Sequence, residues 1–168
     1  REMGRQGLIG MITDPEYGGS GGSVPEYCVI TEAAARYGIM TPQIQVQGQL
    51  WLRDWGTDEQ KRRYLPGIAD GTTIFSESIS EPGAASSLKS LKTTATRSNG
   101  DWIINGTKTH INLGKECDVT LVYAMAEEGL TAFLVDTDLP GVGSVQTDPI
   151  GGRLLPTAEM HFDNVRVP

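Results

Sequence analysis

The stretch Ile79-Ser80-Glu81-Pro82-Gly83-Ala84-Ala85-Ser86-Ser87, followed further along by Gly106-Thr107-Lys108-Thr109-His110-Ile111-Asn112, decides the fold. A strand ending in a hydroxyl residue runs into a Pro-Gly turn, and a later strand carries a lysine, an isoleucine and an amide. Pro82 presets its own φ, and Gly83 permits the positive φ that a tight turn often needs. Such a turn leaves backbone N–H groups and the hydroxyls of Ser86 and Ser87 facing outward, an array that suits a phosphate or the polar edge of a flavin.

Around these two segments the hydrophobic period is short. Residues 74–80, 91–97, 102–105, 107–113, 119–126, 131–136 and 158–162 read as strands. Asn99-Gly100 is a hairpin signal, and Glu128-Gly129 marks a second tight turn. Short strands separated by turns imply a small antiparallel barrel or sandwich.

The first seventy or so residues read differently. Ser23-Val24-Pro25-Glu26 has capping-box spacing, with proline tolerated in the first turn. Tyr27, Ile30, Ala33, Ala34 and Tyr37 follow at helical spacing, and Gly38 is a stop. A further helix is expected over residues 41–55. Thr57 and Gln60 repeat the capping box, with Asp58 and Glu59 before Lys61-Arg62-Arg63, the charge order that the helix dipole favours. Pro66 is expected to end or bend that helix. The fold class is therefore α+β: a helical domain over residues 1–71, then a β domain over 72–168.

Bulk properties narrow the functions. A chain of 168 residues buries roughly 70% of its unfolded surface, enough for a core. The net charge of −7, without a basic face, argues against nucleic acid. No apolar run is long enough to span a membrane. Cys28 and Cys117 lack metal-ligand spacing and read as reduced, mostly buried thiols. The opening at Arg1 leaves a removed leader or an upstream helix open.

On these motifs the chain resembles the acyl-CoA dehydrogenases. Residues 79–87 are similar to that family's T-E-P-G-A-G-S-D loop, and residues 106–112 to its W-I-T-N-G strand. Residues 8–22 (LIGMITDPEYGGSGG), 55–66 (WGTDEQKRRYLP), 129–142 (GLTAFLVDTDLPGV) and 158–168 (AEMHFDNVRVP) resemble further family segments in the family's order. The resemblance covers nearly the whole chain. It implies an N-terminal helical part and a middle β domain, without the family's C-terminal helical bundle.

The resemblance also implies FAD as cofactor and α,β-desaturation of an acyl-CoA thioester, with hydride passing to the flavin. Carried over by position, Ser80 takes the hydroxyl role on the ring's pyrimidine side. His110, Ile111 and Asn112 take the place of the W-I-T strand, and Ser86 takes the thioester or phosphate contact. Three departures stand out. His110 replaces an aromatic residue, Asn112 replaces a hydroxyl residue, and Ala85-Ser86-Ser87 replaces Gly-Ser-Asp. No catalytic residue is expected within the chain, because in this family the base comes from the C-terminal helical domain. The isolated piece is accordingly expected to be inactive and to retain flavin weakly or not at all. Implied partners are acyl-CoA, an electron-transfer flavoprotein and further copies of the whole protein, in the cytoplasm or, in a eukaryote, the mitochondrial matrix. An acyl-CoA oxidase or a related flavin monooxygenase shares the pattern, and an inactive binding or assembly module is the alternative of another class.

Tyr17-Gly18-Gly19-Ser20-Gly21-Gly22 lacks the G-x-x-x-x-G-K-S/T pattern and reads as a turn. His161 reads as an ordinary strand residue, and no metal site is expected. Alternation sets Glu77 on the face opposite Ser76, Ser78 and Ser80, away from the expected flavin, while Glu81 orders the turn. Gln43 and Gln47 share a helix face that either lines the acyl cavity or is solvated.

Overall fold

The computed structural model describes residues 1–40, 43–84, 87–151 and 154–168. These divide into two compact units, Arg1–Phe75 and Ser76–Pro168.

The first unit is helical. A short α1 (Glu2–Arg5) and two 3-10 turns precede α2 (Val24–Ala35), α3 (Gln43–Trp55) and α4 (Asp58–Asp70). Both capping boxes form: Ser23 and Glu26 cap α2, and Thr57 and Gln60 cap α4. Of the two outcomes expected at Pro66, an end or a bend, the helix does not end there. The helix runs on to Asp70 and stops at Gly71 in the left-handed conformation. One backbone bond is lost at the proline, but Tyr64, Leu65, Ile68 and Ala69 are all buried around it and hold the turn. Helix α3 packs closely on Phe75, since a Cβ at Gly48 would lie 2.5 Å from that ring.

Two glutamines of α3 are buried and serve the backbone. Gln45 donates to the Phe75 carbonyl at 2.7 Å and accepts from the Phe75 N–H at 3.1 Å. Gln49 donates to the Ile9 carbonyl at 3.1 Å and accepts from Thr13 Oγ1. By contrast, Gln43 is exposed and Gln47 half-buried. Helix α2 buries no residue fully within its unit, and Cys28 on it is exposed rather than buried as expected. No helix among the described residues is long and apolar enough to cross a membrane.

The second unit is one seven-stranded sheet. Its strands are β1 (Phe75–Ser78), β2 (Thr94–Ser98), β3 (Asp101–Asn112), β4 (Val119–Ala126), β5 (Gly129–Asp136), β6 (Val142–Gln146) and β7 (Thr157–Val167). The order is β1-β4-β2-β3-β7-β6, with β5 paired to β4. Most pairs are antiparallel, as expected, but β2 meets β4 in parallel at Thr94 and Met125, so the sheet is mixed.

Residues 102–105 and 107–112 lie in one long strand rather than two, with a shift in its pairing with β7 between Ile104 and Gly106. A Cβ at Gly106 would lie 2.4 Å from Thr93 Oγ1, so only glycine lets the two segments pass. Asn99 and Gly100 both take positive φ (54° and 93°) and close the β2–β3 hairpin between Ser98 and Asp101. Strand β6 has no counterpart in the sequence reading; its residues are mostly exposed or half-buried, so it lacks a strong apolar alternation. The inner face carries Ile104, Ile111, Val122, Ala124, Val135, Ala158, Met160 and Val165, each at most 2% exposed.

Candidate functional site

The sheet curls far enough for the chain after β1 to reach the far end of β3. The Thr109 N–H donates to the Ser80 carbonyl at 2.9 Å, and Ser76 Oγ donates to the Asn112 carbonyl at 2.7 Å. These bonds bring the two decisive sequence segments side by side. Ser80 is half-buried there, while His110 and Asn112 are exposed. Ile111 is 2% exposed, with its side chain in the core, which leaves its main chain as the part that can face a ligand. Ser86 lies outside the described residues.

His110 takes its position from a β-bulge. Lys108 pairs with Met160 and Ile111 with Ala158, so Thr109 and His110 stand opposite the single residue Glu159. His110 has φ 56°, a left-handed conformation that costs an L-residue roughly 1–2 kcal/mol. The bulge reverses the strand's alternation. Lys108 and Ile111 both point inward, and His110 and Asn112 both face out.

Beneath this edge lies a buried ion pair. Lys108 Nζ donates to Glu81 Oε1 at 2.9 Å and to the Ile79 carbonyl at 3.1 Å. The Glu81 carboxylate also accepts the N–H of Lys92 at 2.6 Å and of Thr93 at 3.0 Å. Burial alone would raise the Glu81 pKa. Hydrogen bonds from Thr93, from the Lys92 main chain and from Lys108 outweigh it and hold the carboxyl down at about 2. Glu81 is thus a permanent acceptor that ties the turn to the start of β2 and to β3. It is unsuited to proton abstraction.

Two hydroxyls of β1 face the core. Ser78 Oγ lies 2.7 Å from Thr120 Oγ1, and Ser76 and Ser78 are fully buried. Alternation therefore separates Glu77 from these serines, as the sequence suggests, but the serine face is the packed one. The open face is that of Glu77, His110 and Asn112. This distinction was invisible in the sequence, where buried and ligand-facing serines look alike.

Elsewhere, His161 contacts Glu159 of its own strand at 3.2 Å and, across the strands, Thr107 at 3.3 Å. Burial pushes the Cys117 thiol up to about 12, leaving it unreactive. No cluster of three or more His, Cys, Asp or Glu able to hold a metal occurs among the described residues. In the helical unit a groove of about 520 Å³ runs along α2, lined in part by Tyr27, Cys28, Met40 and Gln43.

Where the chain after β1 meets β3, the half-buried Ser80 hydroxyl and the exposed His110 imidazole and Asn112 amide can donate to the ring nitrogens and oxygens of a flavin. The chemistry of that set fits the cofactor that the sequence resemblance implies.

Comparison with known proteins covers both units. The family pattern described as "Acyl-CoA dehydrogenase, N-terminal domain" matches residues 1–72, and "Acyl-CoA dehydrogenase, middle domain" matches residues 76–165. Acyl-CoA dehydrogenase FadE12 of Mycobacterium tuberculosis (strain ATCC 25618 / H37Rv) is 34% identical over 180 residues, covering 99% of this chain and 45% of the relative. The crystal structure of glutaryl-CoA dehydrogenase from Mycobacterium smegmatis is similar with a TM-score of 0.89 at 35% identity, covering 99% of this chain and 44% of that one. A glutaryl-CoA dehydrogenase structure from the same organism in complex with FADH2 gives 0.87 at 32% identity, with coverage of 99% and 44%. The chain spans less than half the length of these relatives.

Proposed function

The chain belongs to the acyl-CoA dehydrogenase family, and from that premise we propose that its β unit forms one wall of an FAD and acyl-thioester site in an enzyme that desaturates acyl-CoA at the α,β position. The observation that carries this reading is the juncture of Ser80 with Thr109–Asn112, fastened by the 2.9 Å bond from Thr109 to Ser80. When bound there, FAD supplies the acceptor for a hydride equivalent. The Ser80 hydroxyl binds the pyrimidine side of the ring. Asn112 presents an amide donor where relatives carry a hydroxyl residue, and His110 offers an imidazole face to stack on the ring. Ile111 contributes main chain only. Ser86 takes the thioester or phosphate contact. Neither Glu81, held ionised in its ion pair, nor any other carboxylate of this chain is assigned the role of base.

The acyl-CoA substrate, an electron-transferring partner and homo-oligomer formation belong to the same reading, for the whole protein. The first test is an amide-shift titration of the isotope-labelled chain with FAD. Saturable shifts centred on Ser80 and Thr109–Asn112, weakened in S80A and N112A, are expected. Shifts elsewhere, or none, would overturn the reading.

A further inference from the structure

Glu77 lies in the middle of β1, between the two bonds that fasten this edge to β3. Ser76 Oγ reaches the Asn112 carbonyl at 2.7 Å on one side, and the Thr109 N–H reaches the Ser80 carbonyl at 2.9 Å on the other. Residues 77–79 therefore run beside residues 110–111. Ser76 and Ser78 are fully buried, so alternation turns Glu77 to the opposite face, where it is half-buried. His110 and Asn112 are exposed on that same face. A carboxylate thus stands one strand away from the two side chains assigned to the cofactor.

Its neighbour on β4 is Tyr123, which hydrogen-bonds to it. Burial raises the Glu77 pKa from its ordinary value, and the hydrogen bond from Tyr123 offsets only part of that rise. Burial, and then the charge of Glu77, push Tyr123 up to about 12, so the phenol stays protonated as the donor. The pair sits in partial burial, where screening by water is weak.

We infer that Glu77 is a further member of the cofactor face, and that its carboxylate, steadied by Tyr123, lowers the reduction potential of a flavin seated against His110 and Asn112. This inference rests on the proposed function. A fixed negative charge beside the ring disfavours the electron-rich reduced form more than the oxidised one, and so weakens binding of FADH2 relative to FAD.

The test compares dissociation constants of the labelled chain for FAD and, anaerobically, for FADH2, both read from amide shifts at pH 7. In E77Q the ratio is expected to move about ten-fold in favour of FADH2, equivalent to about 30 mV for a two-electron couple. Y123F removes the donor that favours the ionised carboxylate, and should move the ratio the same way by less. If E77Q loses its dispersed spectrum, Y123F decides alone. An unchanged ratio in the folded variants overturns the inference while FAD binding stands. No saturable shifts at Ser80 and Thr109–Asn112 in the parent chain overturns the proposed function and this inference together.

Discussion

Lys108 and Glu81 form an ion pair at 2.9 Å with side chains only 0% and 3% exposed, directly beneath the edge where Ser80 meets Thr109. Breaking a buried pair by removing one partner leaves an uncompensated charge, at a cost of roughly 3–5 kcal/mol. E81A is expected to lose about that much stability in urea unfolding, since Lys108 then keeps only the Ile79 carbonyl. K108M should cost less, because the N–H groups of Lys92 and Thr93 still serve the carboxylate.

The same carboxylate sets an acid limit. Glu81 is held near 2 when folded, below its ordinary 4.5. The group's contribution is therefore fully present above about pH 5 and is lost as pH falls toward 2, a total on the order of 3 kcal/mol. Unfolding free energy measured across that range should fall in the parent chain, and more shallowly in E81Q.

Left-handed backbone at His110 predicts a trade between stability and binding. H110G relieves the strain at φ 56° and should raise stability by about 1 kcal/mol. The same change should weaken the FAD-induced shifts at Asn112, because the imidazole is gone. A variant that lost stability would show that the His110 side chain holds the bulge together.

The glutamines of α3 should separate cleanly. Q45L strands the buried N–H and carbonyl of Phe75, at about 1–3 kcal/mol for each unsatisfied group. Q43L, at an exposed position, should stay within about 0.5 kcal/mol of the parent. Thermal or urea unfolding of the two variants provides the comparison.

Thiol titration gives a rapid check on the folded core. Cys28 is exposed and Cys117 buried, with the latter's pKa pushed up to about 12. One equivalent should react promptly with a disulfide reagent under native conditions, and the second only in denaturant. Prompt reaction of both would mean that the β unit opens readily near Gly114, whose carbonyl accepts from Cys117.

Local signals in the sequence are sufficient for most of the element types. The capping boxes at Ser23 and Thr57, the Asn99-Gly100 hairpin and the alternation in β4 each act within a few residues, so they read directly from the chain. No local rule links Ser80 with Thr109; in the sequence only the family resemblance places their two segments at one site. At Pro66 the sequence leaves an end or a bend open, and burial of its neighbours, a tertiary effect, outweighs the loss of one backbone bond and carries α4 on to Asp70. Strand β6 was missed because its residues pair with β7 without entering the core.

Local signals along the chain fix that helices precede strands and where the hairpin turns, while the family resemblance alone picks out the two segments proposed to carry the polar side chains of the site. Which way those side chains face follows from the folded sheet. Lys108 must point inward to meet Glu81, and Ile111 must point inward to fill the core, yet residues three apart on a regular strand face opposite ways. The bulge at Thr109 and His110 resolves that conflict by adding one residue. It turns His110 and Asn112 outward onto the face of Glu77. Side-chain direction follows from long-range packing that no window of the sequence contains.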